Sequence, residues 1–222
     1  MIEYRDLEKK DICRELFDGF QRRQVVTDCW RRVDGRWTVR PDPFIDDWSE
    51  EDYRFLVECL GRTAAAGGLV RGAFLDGALK GFVSVESEPM GSRGQYLDLS
   101  SIHVSQDARR RGIGRTLFQA ALAFARDRGA EKLYISAHSA VESQAFYRAM
   151  GCVEAEEYDA GHVAREPFDC QLECGTGAGS GAAPGGGRAR RDGLRPRRSS
   201  VNFCESEKGA TQAPFFVVDY RW

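Results

Sequence analysis

The chain has 222 residues, 42% apolar and 30% charged, and carries a formal net charge of −2. That length fits one ordinary domain plus an extra segment, and the apolar share excludes wholesale disorder. The balanced charge gives no global pull toward nucleic acid or membrane, and no apolar run reaches the ~18 residues of a membrane helix.

The first residues, Met1-Ile2-Glu3-Tyr4-Arg5-Asp6, are charged at once, unlike a secretory signal. Seven cysteines at irregular spacings do not read as a disulfide framework. Free thiols in a reducing cytoplasm are the expectation.

In chain order, 2–5 is a strand candidate and 7–20 has a helical pattern. Segments 30–33 and 36–39 flank Asp34-Gly35, a two-residue hairpin signal. After Pro41-Asp42-Pro43 and Trp48, Ser49 with Asp52 predicts a capping box for a helix to about Ala66, which Gly67-Gly68 ends. Segments 69–75 and 78–86 flank Asp76-Gly77, a second hairpin. Residues 95–104 form one extended run. Ile113, Leu117, Ala121 and Phe124 recur at helical spacing up to Gly129. A short apolar strand is predicted at 132–137. Ser139 and Glu142 predict another capping box, for a helix ending near Met150-Gly151. Segments 152–158 and 168–172 form a final antiparallel pair. This order predicts a mixed α/β domain in which an antiparallel hairpin feeds parallel strands.

That domain spans 1–174. From Gly175 to Ser200 the composition shifts to Gly, Ala, Pro, Ser and Arg, so 175–222 is predicted to be a disordered tail. The tail carries eight Lys/Arg against four Asp/Glu, which leaves a net of −6 on the first 174 residues. Its arginines at 188–198 are read as solvated rather than as a nucleic-acid contact, and its apolar end at 213–218 stands isolated.

The most informative segment is Ser105-Gln106-Asp107-Ala108-Arg109-Arg110-Arg111-Gly112-Ile113-Gly114-Arg115-Thr116. It follows a strand and opens a helix, where the first amides lack intrahelical partners and the dipole is positive. Successive N–H groups in such a turn cradle phosphate oxygens, and glycines let the backbone come close. The arginines add charge at the mouth and Thr116 a hydroxyl. A P-loop needs Gly-Lys-Ser/Thr, which is absent. A dinucleotide fingerprint needs Gly or Ala where Leu117 stands.

Arg109-x-x-Gly112-x-Gly114, preceded by Leu99-Ser100-Ser101-Ile102-His103-Val104, resembles the acetyl-CoA motif of the GNAT N-acetyltransferase superfamily. Downstream, Phe146-Tyr147-Arg148-Ala149-Met150-Gly151 resembles that family's Phe-Tyr…Gly ending of its last core helix. The resemblance covers roughly 1–174. It implies a GNAT-type acyl-CoA N-acyltransferase fold, a mostly antiparallel sheet splayed between its fourth and fifth strands and flanked by helices. It implies acetyl-CoA as co-substrate, bonded along main-chain groups at Ile102, His103 and Val104, with the pyrophosphate on the amides from Arg110 to Thr116. The implied reaction is direct attack of an amine on the thioester through a tetrahedral intermediate.

By the same resemblance Tyr147 lies near the departing sulfur and is the candidate acid. Asp98, six residues before Val104, is the candidate base, on a face expected to hold Ser100, Ile102 and Val104. Glu86, Glu88, His103 and His138 are weaker proton-transfer candidates. Many family members carry Asn seven residues before this Tyr, where this chain has Ala140, beside a Ser139 expected to cap the helix. The stretch 41–52 holds six carboxylates and no Lys or Arg, with Trp30, Trp37, Phe44 and Trp48 around it. Acid plus aromatic rings suits a cationic amine, so Trp30, Trp48, Asp46 and Asp47 are the candidate substrate contacts. Cys170-x-x-x-Cys174 with His162 is a poor metal pattern, and no metal is expected. The expected function is N-acetylation of a small cationic amine. Peptide or protein N-acetylation and non-catalytic acetyl-CoA sensing are the alternatives. No membrane or nucleic-acid partner is expected, and a homodimer is left open.

Overall fold

The computed structural model describes residues 1–177, so the predicted tail, apart from its first three residues, lies outside the described residues. The elements are β1 (Ile2–Asp6), β2 (Arg23–Val33), β3 (Arg36–Asp47), α1 (Glu50–Ala65), β4 (Leu69–Leu75), β5 (Ala78–Val85) and β6 (Tyr96–Asp98). They continue as β7 (Ser101–Val104), α2 (Ile113–Asp127), β8 (Lys132–Ala137), α3 (Val141–Ala149), β9 (Val153–Glu154), α4 (Ala160–Arg165) and β10 (Cys170–Gly175).

Two four-stranded sheets form, in the orders β1-β4-β5-β7 and β6-β8-β10-β9. Every pairing is antiparallel except β6 with β8. The sheets meet in one run of chain. Leu99 donates its N–H to Tyr134 O at 2.9 Å, whereas Ser100 donates to Ser84 O at 3.1 Å. The expected single strand at 95–104 therefore changes partners between Leu99 and Ser100. Beyond that point β7 pairs with β5 and β8 with β10, in different sheets, which fits the splay the family resemblance implied.

Alternation breaks at the same place. Leu97, Leu99, Ile102 and Val104 all enter the cluster under α2, with Leu117, Phe118 and Ala121. Leu99 and Ile102 are three apart, so a strict period of two fails and an extra residue sits between them. Asp98, in register with Tyr134, faces the other side. The expectation that Asp98 shares a face with Ile102 and Val104 is corrected by this bulge.

α1 begins as predicted, with Ser49 Oγ accepting the Asp52 N–H at 3.3 Å and the Asp52 carboxylate accepting the Ser49 N–H at 2.7 Å. Its Tyr53, Leu56 and Leu60 pack with Phe17, Phe74 and Phe82 in a second core on the opposite face from α2. Asp34-Gly35 and Asp76-Gly77 all have positive φ, between 49° and 81°, as two-residue hairpin turns require.

Three local expectations are corrected. The predicted 7–20 helix is two short 3-10 turns, Lys9–Asp11 and Arg14–Phe17. Its buried residues are Leu7, Ile12, Phe17 and Phe20, a spacing that no single helix face can present. The first hairpin runs past Pro41 and Pro43 to Asp47, which β3 tolerates because among the described strands it pairs on one side only, with β2. Ser139 does not cap α3. Ala140 is the N-cap residue, and Ser139 Oγ accepts Arg31 Nη1 at 2.5 Å. Ala140 is wholly buried against Val26 and Cys29 of β2, so the hairpin fills the space beside this small residue.

Candidate active site

The loop before α2 is held by hydrogen bonds from neighbouring elements. Lys80 Nζ donates to Gly19 O and to Asp107, each at 2.7 Å, and Gln21 donates its N–H to Ser105 Oγ at 2.9 Å. Arg109 Nη2 donates to Arg23 O at 2.8 Å, tying the loop to β2. Gly112 is the α2 N-cap at φ +79°, and Arg110 takes φ +62°, unusual for a residue with a Cβ. Ile113 is buried and anchors the helix, while Arg110, Arg111, Arg115 and Thr116 are exposed. A Cβ built at Gly112 meets nothing within 4 Å, so the space before the helix start is open. Gly114 lies in the first turn, and Thr116 Oγ1 donates back to Gly112 O at 3.3 Å. Amides at a helix start, exposed guanidinium groups and open space fit a diphosphate.

β7 has β5 as its one neighbour among the described strands. Ser105 donates its N–H to Lys80 O at 2.8 Å. Strand alternation then turns the main-chain groups of Val104 and Ile102 the other way, to the edge that faces the divide. His103 points its ring into the α1 side, 4.7 Å from Trp48 and 5.2 Å from Phe82 by centroid. Burial, then the charges of Arg22 and Arg109, hold its pKa well below the usual value, so the ring is neutral. His138 accepts the Ala140 N–H at Nδ1, 3.0 Å, and burial lowers it to about 3. Neither histidine is suited to relay protons near neutral pH. Glu86 accepts from Thr63 Oγ1 at 2.7 Å.

Tyr147 is fully buried on the α2 side, with its ring 6.2 Å from Phe118 and 5.3 Å from Phe146. Burial raises its pKa well above the usual phenol value, and the charges of Cys152, Asp169 and Asp98 add to the rise. It stays a protonated donor.

Asp98 lies across the sheet from that cluster. Its Oδ2 is 3.1 Å from His162 Nε2, and its Oδ1 is buried with no hydrogen-bond partner among the described residues. His162 stands on α4, a helix that the sequence reading did not contain. Asp159 caps α4, accepting the His162 N–H at 2.8 Å, and the Asp159 N–H donates to Tyr134 Oη at 2.8 Å. Burial pushes His162 down, but the hydrogen bond and charge of Asp98 prevail and raise it above its ordinary value. Glu166 and Asp169 follow on the same segment. Burial raises them to about 7 and about 8. The sequence weighed His162 only as a partner of Cys170 and Cys174, and both thiols instead turn into the α2-side core. Asp159-x-x-His162 is an N-cap spacing that could have located the helix.

The residues expected to hold a cationic amine are occupied by the chain's own arginines. Asp46 pairs with the fully buried Arg22, and Asp47 lies 3.9 Å from Arg23. Arg22 sits 5.3 Å from the Trp48 ring, and Arg148 sits 4.2 Å from the Trp30 ring. Asp42 pairs with Arg31, and Glu50 lies 2.8 Å from Arg14. The acidic stretch is therefore largely neutralised within the fold.

The Acetyltransferase (GNAT) family matches residues 32–152. No curated protein matches the chain significantly. Among solved structures, nourseothricin acetyltransferase is 21% identical, with a TM-score of 0.53, covering 78% of this chain and 95% of its own. A proposed streptothricin acetyltransferase from Bacillus anthracis str. Ames, in complex with acetyl coenzyme A, is 15% identical at TM-score 0.56, covering 78% and 96%. A GNAT-family protein from Desulfovibrio desulfuricans is 15% identical at TM-score 0.52, covering 79% and 99%. At these identities the likeness is one of fold.

Proposed function

The chain belongs to the GNAT family of acetyltransferases, and from that membership we propose that it transfers an acetyl group from acetyl-CoA to the primary amine of a small cationic molecule. The observation that carries this reading is the divide between β7 and β8. A carboxylate–imidazole pair stands on one face of the sheet there, and a buried phenol on the other. Acetyl-CoA supplies the activated acyl group as a thioester.

The exposed amides and arginines of 110–116 hold the pyrophosphate, and the edge of β7 at Ile102 and Val104, unpaired among the described strands, takes the pantetheine arm. A strand amide at 102–104 stabilises the oxyanion. Tyr147 gives its proton to the leaving sulfur from the α2 side. The acceptor comes from the Asp98 side, where a proton must be removed before nitrogen can attack. Asp98 and Asp159 lie on that side, and the raised Glu166 and Asp169 beside them add negative charge only above about 7 and about 8. This placement replaces the paired carboxylates of 41–52 as the source of selectivity.

The test is a free-thiol assay with acetyl-CoA against an amine panel containing polyamines, aminoglycosides, nourseothricin and lysine peptides, with products weighed by mass spectrometry. A product 42 Da heavier than a small polyamine or antibiotic, a mass that follows from adding an acetyl group in place of a proton, supports the reading (roughly 42 Da by composition). Acetylation of peptides alone would replace it with protein acetylation.

A further inference from the structure

We propose that His162 is the group that takes the proton from the acceptor amine, and that Asp98 is a positioning residue acting through it. This inference rests on the amine-acetylation reading above. His162 Nδ1 lies 3.3 Å from Arg165 Nη2, and its Nε2 lies 3.1 Å from Asp98 Oδ2. A guanidinium can only donate and a carboxylate can only accept. The neutral ring therefore carries its proton on Nε2, toward Asp98, and its lone pair on Nδ1. A carboxylate that fixes the tautomer and supports the cation formed later is what a histidine base requires.

The ring is also held in place. The His162 N–H is bonded to the Asp159 side chain, and Asp159 is bonded in turn to Tyr134 Oη on β8. The imidazole lies 5.5 Å from the Tyr134 ring by centroid. Its side chain is 18% exposed and that of Asp98 15%, so both groups are partly open to solvent. Arg165 is on the exposed side of α4, where an incoming ammonium can displace its guanidinium from Nδ1.

The ammonium gives one proton to Nδ1. The freed nitrogen lone pair forms the C–N bond to the acetyl carbon, and the C–S bond breaks with its electron pair on sulfur. Sulfur takes the Tyr147 hydroxyl proton. The nitrogen loses a second proton as the amide forms, and that proton restores Tyr147 through solvent. His162 releases the first proton to solvent, so one ammonium and one thioester give one amide, one thiol and one proton.

The groups facing His162 are Asp98 on β6, Tyr134 on β8, Asp159, Arg165 and Glu166 on or beside α4, and Asp169 before β10. The chain has three histidines, and His103 and His138 are held neutral by burial. An imidazole NMR titration of the full chain should show one ring titrating above the ordinary ~6.5. His162→Gln should delete that signal, and Asp98→Asn should move it to lower pH. With the amine that the panel returns, His162→Gln should lower kcat/KM by ~10²–10⁴ and erase the rising limb of its pH profile. Asp98→Asn should move the limb acidward. His162→Ala should regain turnover with added imidazole. If His162→Gln keeps the wild-type limb while Asp98→Asn erases it, Asp98 is itself the base and the proposal fails. A panel that returns no acetylated amine overturns the parent reading instead, whatever the titration shows.

Discussion

Gly112 holds φ +79° at the mouth of the loop, and open space lies where a side chain would go. Left-handed backbone costs a residue with a Cβ ~1–2 kcal/mol. Gly112→Ala should therefore lower stability by about that amount while weakening acetyl-CoA binding modestly. Gly112→Glu adds a negative charge where the phosphates are to lie, and should abolish binding by isothermal titration. Unchanged affinity in Gly112→Glu would move the cofactor elsewhere. Tyr147→Phe keeps a ring that is packed on Phe118 and Phe146 and removes one hydroxyl. Turnover should fall by ~10²–10⁴ with acetyl-CoA affinity nearly intact. Wild-type turnover in that variant, measured where chemistry limits the rate, would leave the thiolate to be protonated by solvent. These residues were legible in the sequence because both sit in short motifs tied to helix ends. The pairing of Asp46 with Arg22 was not, because Arg22 lies 24 positions away and only the strand pairing brings the two together.

At the scale of the element, the segment from α4 to β10 holds the buried acids. Glu166 and Asp169 are raised by burial to about 7 and about 8, against an ordinary carboxyl value near ~4. His162 is raised as well. All three bind protons more tightly in the folded chain than in the unfolded one. Their contribution is complete at the acid end and is lost as pH rises from ~4 through about 8. Thermal melts of Asp169→Asn and Glu166→Gln should therefore lose less stability between pH 5 and pH 8.5 (a window of roughly three to four units around those values) than the wild type. An equal loss in wild type and both variants would show that these carboxyls are ordinary. Helix α1 was predictable because its Ser49–Asp52 box satisfies its own first turn. α4 has six residues and no buried one, so no apolar period marks it. The 95–104 run read as one strand because each half is extended. The change of partner at Leu99 and Ser100 depends on which neighbours the fold supplies.

For the whole molecule, two half-sheets share one segment, and chemistry is expected where they part. We propose that residues 1–177 are sufficient for the fold. β10 ends at Gly175, and Thr176 Oγ1 donates to Ala130 O at 2.8 Å, so a cut before Thr176 would remove a buried contact. Truncation after Gly177 should leave the melting temperature and acetyl-CoA affinity within error, and loss of folding would show that 178–222 supports the domain. The fold class was legible because the two motifs, the hairpin turns and the alternating elements all agree. The acceptor side was less so, since its residues come from β6, α4 and the approach to β10, over 60 positions apart (Asp98 to His162 is |i−j| = 64). The most direct test of the account is kcat/KM against pH for the amine that the panel returns, in wild type and in His162→Gln. The account predicts a rising limb above pH ~6.5 in the wild type and its loss in the variant, with thiol release matched one to one by acetylated amine. Thiol release without acetylated amine, in every member of the panel, would contradict it.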